Sequence, residues 1–249
     1  MRAFLQALSF LTLLPFSRRG SSEGKALARS MAFFPLAGLL IGIFVVSGNY
    51  LLSFLFPKPL VLWLTLGFLA LLTGGLHLDG FADTMDGLAC RGTREKILEV
   101  MRDSRIGAFG VIGLIFLIGA KYLALDQTSN SSLPRSLLLM AVMGRNAMVL
   151  VCYRSPYARS GQGLARPFVE NLRFYELAFS ALSAFGIALA LMGASGILVF
   201  IGIGLFSLGY RFVFIKKLGG VTGDVLGAAN ELAELLCLLL LLILKQIQT

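Results

Sequence analysis

Charge is what this chain has least of. Only 14% of its 249 residues are Asp, Glu, Lys or Arg, against 57% hydrophobic residues, and the mean hydropathy is +0.84. A soluble domain of this length needs more charge to cover its surface, so a water-soluble globular protein is excluded. Cysteine is nearly as scarce. Cys90, Cys152 and Cys237 stand far apart, odd in number and without a CxxC pair, which argues against a disulfide framework or a zinc site. His77 is the only histidine, so HExxH is absent. So are GxxxxGK[ST] and GxSxG, which removes a P-loop and a serine nucleophile elbow. No ten-residue alternating strands occur, which excludes a membrane β-barrel.

What the chain does have is apolar runs of about 20 residues, long enough to cross roughly 30 Å of hydrocarbon. Lipid offers the backbone no hydrogen bonds, so such runs are helices. The sequence therefore reads as an all-α, polytopic integral membrane protein with about seven transmembrane helices. Spans are expected at about 31–53, 59–77, 107–125, 136–153, 175–193, 195–215 and 225–244. Residues 1–249 form a single membrane-embedded domain, with 1–30 an N-terminal amphipathic or interfacial segment. The opening "MRAFLQALSFLTLLPFSRRG" has the outline of a signal peptide. However, Arg18 and Arg19 stand where small cleavage-site residues belong, so it reads as retained.

Basic residues set the orientation. Of the 22 lysines and arginines, only Lys58, Lys121, Arg135, Arg145 and Lys245 fall on the far side or inside a span. The remainder gather at one side, which the positive-inside rule assigns to the cytoplasm. The net charge of +9 is thus topological, and no separate basic domain points to nucleic acid. Every acidic residue except Asp126 lies on the same side, so a site built from carboxylates faces the cytoplasm.

Those carboxylates are unevenly spread. "GGLHLDGFADTMDGLACRG", residues 74–92, places Asp79, Asp83 and Asp86 at i, i+4 and i+7. If the second span continues past Thr73, all three share one helical face. Like charges at that spacing repel unless a cation binds them, and oxygen-only ligands select Mg²⁺ or Mn²⁺. Gly80 and Gly87 beside them admit close approach by a large ligand. "MRDSRIGAFG", residues 101–110, sets Asp103 between Arg102 and Arg105. Asp103 is read equally as the N-cap of the third span or a fourth metal ligand. Arg91, Arg102 and Arg105 are candidates to hold phosphate.

Near the end, "LGGVTGDVLGAANELAELL" is a glycine-rich turn entering a helix, a geometry that favours phosphate. Asp224 follows Gly223, and Asn230, Glu231 and Glu234 lie further along. Acids that deep in an apolar helix mark function by default. "YRSPYARSGQGLARPF", residues 153–168, reads as either a topogenic loop or an anion-binding lid. Arg145 and Asn146, inside the fourth span, call for an anionic partner, either the aspartates or a substrate phosphate. Clustered carboxylates, Mg²⁺, arginines and a glycine-rich helix entry together suit phosphoryl or phosphodiester transfer.

Four stretches carry a resemblance to a known family: "FLTLLPF", "GGLHLDGFADTMDG", "MRDSRIGAFG" and "GGVTGDVLGAANELAE". In this order, over nearly the whole chain, they resemble the cobalamin (5′-phosphate) synthases, or adenosylcobinamide-GDP ribazoletransferases. Relatives often read H-E-D-G where this chain has His77-Leu78-Asp79-Gly80. A weaker likeness, Asp83 to Arg91 against D-x-x-D-G-x-x-A-R, is to the CDP-alcohol phosphotransferases.

The resemblance implies a Mg²⁺-dependent transferase of cobalamin biosynthesis in the cell inner membrane. Its substrates would be a corrinoid nucleotide, adenosylcobinamide-GDP, and α-ribazole or its 5′-phosphate, with GMP released. Asp79, Asp83, Asp86 and Asp224 would hold the metal. His77, Asp83 or Asp103 would serve the chemistry, with His77 as base, as support for Asp79, or neither. Arg91, Arg102, Arg105, Arg145, Asn146, Gly223, Asn230 and Glu231 would contact substrate. Membrane lipid is the expected surrounding, and a homo-oligomer is compatible with this reading. A cation-coupled transporter is the rival class.

Overall fold

The computed structural model describes residues 2–14 and 24–248; Arg18 and Arg19 lie outside them. The chain forms α1 (Arg2–Leu11), α2 (Gly24–Ser30), a 3-10 turn, α3 (Phe34–Ser53), α4 (Lys58–Leu72) and α5 (Leu76–Ala89). Then come α6 (Arg94–Val100), α7 (Ala108–Asp126), α8 (Leu133–Cys152), α9 (Arg166–Asn171), α10 (Phe174–Leu218) and α11 (Gly223–Gln248). Among the described residues there is no strand, only one bridge between Tyr157 and Val221.

Five helical stretches are long and apolar enough to cross a membrane, and the bent pair α4–α5 makes a sixth. The 45 residues of α10 would reach about 68 Å if straight, twice what a bilayer needs. The helix reverses instead at Gly193, whose φ of 54° and ψ of −132° are open only to glycine. Phe185 and Phe200, on either side, meet with ring centroids 5.5 Å apart. The reversal falls at the boundary expected between the fifth and sixth spans.

One expectation is corrected here. The second span does not run on past Thr73 into the aspartates. Gly74 and Gly75 both take left-handed φ, 64° and 67°, and the Gly75 N–H closes α4 on the carbonyl of Ala70 at 2.8 Å. The chain then turns by 92° into α5. The three aspartates therefore ride on a separate short helix, held by its neighbours.

The packing is layered around α8, the least apolar of the spanning helices and the most buried, with α3, α10 and α11 against it. Arg145 and Asn146 stand inside it, while Phe116, Leu205 and Phe212 on other helices point outward. Small residues permit the close contacts that hold helices together in lipid. A Cβ on Gly38 would lie 2.5 Å from the carbonyl oxygen of Ala141 in α8. At the N-terminus, Ala7, Leu8 and Leu11 of α1 are in the core. At the far end of α7, Lys58 donates to the carbonyl of Asp126 at 2.7 Å and pairs with its carboxylate at 3.7 Å.

The α3–α8 contact yields a test. Gly38→Ala is expected to cost about 1–3 kcal/mol through overpacking against backbone. Gly67→Ala, where a Cβ meets nothing within 4 Å, is the control. Thermal unfolding in detergent should show a lower Tm for Gly38→Ala alone.

Candidate active site

Two glycines bring the aspartates to the entry of α11. A Cβ on Gly80 would sit 2.9 Å from the Cα of Asp224, and one on Gly227 would sit 3.3 Å from the Cα of His77. The two helices thus run antiparallel with backbones nearly touching. Asp79 and Asp83 come to lie beside Asp224, near enough for their charges to bear on one another, with Arg159 opposing. The turn into α11 is shaped by Gly219 and Gly220, with φ of 68° and 159°. It is capped by Thr222, whose hydroxyl accepts the Val225 N–H at 3.2 Å.

The loop after α8 folds over this entry. Ala158 N–H donates to the Val221 carbonyl at 3.0 Å, and Val221 N–H to the Pro156 carbonyl at 2.9 Å. Arg94 adds a bond to the Ala158 carbonyl at 2.9 Å. This clamp delivers Arg159, which donates to the Asp224 carboxylate at 2.6 Å and to the Met101 carbonyl at 3.0 Å. Its buried Nε has no partner. Asp79, Asp224, Arg159 and His77 line a cavity of about 190 Å³, with Phe10, Phe34 and Phe168 among its apolar walls.

Other expected residues go elsewhere. Both oxygens of Asp86 are taken, by the N–H groups of Gly107 at 2.7 Å and Gly110 at 2.8 Å. Asp86, not Asp103, caps the third span, and each of its oxygens accepts one backbone N–H. Asp103 is held by Arg105 through Nε at 3.0 Å and Nη2 at 2.7 Å. That grip keeps the Asp103 carboxyl at about 2, below the ordinary range. Arg91, Arg102 and Arg105 are exposed, and Arg102 donates to the Ser160 carbonyl at 3.3 Å. None of these four residues lines the cavity.

Arg145, Asn230 and Glu231 belong to a buried ionic network. Lys121 of α7 donates to Glu231 and Glu234 of α11, both at 2.6 Å. Arg145 of α8 donates to Glu234. The Asn230 amide reaches both glutamates, at 3.2 and 3.1 Å. Two cations balance two anions, so the partner of Arg145 is Glu234, and neither an aspartate nor a phosphate is required for it. Asn146 accepts from Ser180 at 3.3 Å, also in the core. His77 stands between the two regions. It lines the cavity, its buried Nε2 has no partner, and it lies within electrostatic reach of Arg145, Glu234 and Lys121.

Among the described residues no three Asp, Glu, His or Cys side chains converge as a ready-made metal cage. Asp79 and Asp224 line the cavity with Asp83 beside them, and among the described residues Asp224 alone of the three is ion-paired. An open set of this kind fits Mg²⁺, which is ordinarily held by one or two carboxylates together with waters and substrate phosphates. Lys121 and Arg159 are the residues that sequence reading passed over. A lone lysine within an apolar span was the signal for the first; for the second, only its place in the basic loop.

Residues 3–242 match the family model described as cobalamin-5-phosphate synthase. The chain is 39% identical over 241 residues to an adenosylcobinamide-GDP ribazoletransferase of Geotalea daltonii, covering 97% of each. It is 40% identical to the enzyme of that name from Syntrophobacter fumaroxidans, with 94% of this chain and 96% of the relative covered. The namesake from Klebsiella pneumoniae is 39% identical, with 97% and 100% covered. No solved structure matches the chain.

The network makes its own prediction. Lys121→Met leaves two carboxylates buried against one cation and should destabilise by about 3–5 kcal/mol. Adding Glu231→Gln should recover much of that loss. Denaturation of the single and double variants in detergent checks both values.

Proposed function

The chain belongs to the cobalamin-5-phosphate synthase family, and from that premise we propose that the cavity at the α5–α11 contact is where its transfer reaction takes place. The reaction joins the adenosylcobinamide-phosphate part of adenosylcobinamide-GDP to α-ribazole or its 5′-phosphate and releases GMP. A ribose hydroxyl attacks phosphorus, the bond to the GMP oxygen breaks, and the hydroxyl proton must be taken up. The observation that carries the proposal is the meeting of Asp79, Asp224 and Arg159 on one small cavity, with Asp83 beside them.

Asp79, Asp83 and Asp224 hold the cation in this reading. Mg²⁺ bound there supplies positive charge against the diphosphate and the departing GMP. Arg159 exchanges its carboxylate partner for the non-bridging oxygens of the diphosphate, since a guanidinium serves both with the same fork. The bond that Arg159 donates to the Met101 carbonyl and the backbone clamp keep the arginine in place during that exchange. His77 Nε2, buried at the cavity wall and without a partner among the described residues, accepts a hydrogen bond from the ribose hydroxyl and orients it, and a carboxylate of the Asp79–Asp83–Asp224 set left free by the cation takes the proton. Asp86 supports the site by fixing the start of α7. The basic end of the bundle, which carries the site, faces the cytoplasm on the positive-inside rule.

The test is GMP release by purified protein in liposomes supplied with adenosylcobinamide-GDP and α-ribazole. Release should require Mg²⁺ and stop with EDTA. Asp83→Asn should lower kcat by about 10²-fold or more while the protein stays folded. Arg159→Ala should raise the KM for adenosylcobinamide-GDP roughly tenfold, with Arg105→Ala near wild type. Wild-type rates in Asp83→Asn, or equal effects of the two arginine variants, would remove these residues from the site.

A further inference from the structure

The cavity has two unlike patches. One is ionic: Asp79, Asp224 and Arg159. The other is a set of three rings drawn from distant parts of the chain: Phe10 of α1, Phe34 of α3 and Phe168 of α9. Phe10 and Phe168 lie 4.8 Å apart between centroids, and each is 6.0 Å from Phe34. Phe34 and Phe168 are buried, at 0% and 2% exposure, and Phe10 is half-buried. All three border the cavity and give it an aromatic wall set apart from the ionic patch.

Three bases compete for such a place in this reaction: the guanine and the adenine of adenosylcobinamide-GDP, and the benzimidazole of a ribazole; adenine, like guanine, has a polar edge. Guanine carries several donors and acceptors on its edge, each needing a partner when buried. The three phenyl rings offer none. A benzimidazole is a flat bicycle with a single free ring-nitrogen acceptor and otherwise hydrocarbon edges, which aromatic faces accommodate without unsatisfied polar groups. At about 190 Å³ the cavity is below the roughly 300–1,000 Å³ usual for drug-sized ligands, so a corrin macrocycle stays outside it.

We infer that the Phe10–Phe34–Phe168 patch is the subsite for the benzimidazole of α-ribazole, and that the N-terminal helix α1 is therefore part of the acceptor site. The inference rests on the reaction assigned above. With the base on the rings, the attached ribose points across the cavity toward His77, Asp79 and Asp224, where its hydroxyl meets the diphosphate. The corrinoid-GDP then approaches from the mouth of the cavity, with its phosphates on the ionic patch.

Steady-state kinetics of the full-length protein in liposomes, with each substrate varied at saturating co-substrate, tests the inference. Phe168→Leu and Phe10→Leu should each raise the KM for α-ribazole roughly two- to tenfold. The KM for adenosylcobinamide-GDP should stay within twofold of wild type. Free 5,6-dimethylbenzimidazole should compete with α-ribazole and not with the corrinoid, a measurement that needs no variant to fold. A KM increase confined to adenosylcobinamide-GDP, or shared equally by both substrates, would overturn the inference. So would benzimidazole competition against the corrinoid. Absence of GMP release from the wild-type protein would instead count against the reaction itself.

Discussion

Two glutamates of α11 sit among apolar helices, and the need to neutralise them there sets how the bundle is assembled. Glu231 and Glu234 draw Lys121 from α7 and Arg145 from α8 to one place. Burying four charges is costly, and replacing such a network with hydrocarbon is often neutral or stabilising. Removing one member is another matter, because the others are then left unpaired. The network therefore fixes register more than it adds stability. With α11 held at this height against α7 and α8, Asp224 comes level with Gly80, and the α5–α11 contact can close at backbone distance.

Around that contact the molecule separates two uses of charge. The deep quartet is buried and internally balanced. Among the described residues the shallow set pairs neither Asp79 nor Asp83 with a cation, and it gives Asp224 an arginine on a clamped loop. His77 touches both, lining the cavity while feeling the quartet. The break at Gly74–Gly75 is what permits this. A straight second span would carry the aspartates out past the membrane face, whereas the 92° turn brings α5 back between α7 and α11.

Much of this was legible in the residues. Apolar runs pointed to the helical membrane class, and the break between the spans expected at 175–193 and 195–215 falls at the reversal at Gly193. The residues flanking Gly80 and the "GGVTGD" entry pointed to two halves of one site. What stayed hidden was pairing. Spacing puts Asp86 on the same face as Asp79 and Asp83, yet it cannot tell that the bare N–H groups of Gly107 and Gly110 would claim both its oxygens. Asp103 looked like a cap or a ligand because its neighbour Arg105 was counted as a phosphate binder and not as its partner. Lys121 and Arg145 were visible as odd residues, but their partners lie 110 and 89 positions away, where no local pattern reaches. Arg159 became distinct from the other loop arginines only through the backbone pairing of Ala158 with Val221.

The quartet also bears on how the protein is made. Synthesis runs from the N-terminus, so α7 and α8 enter the membrane before α11 exists. Until then Lys121 and Arg145 have no anions, and each cation costs about 2.5–3.5 kcal/mol at the centre of a lipid-exposed helix. The nascent chain must shelter them, in the insertion machinery or against one another's helices, while α9 and both arms of α10 are being added. Arrival of α11 supplies Glu231 and Glu234 as their partners and also brings Asp224 to Asp79 and Asp83. Seating those two cations and completing the site thus wait on the same helix, α11.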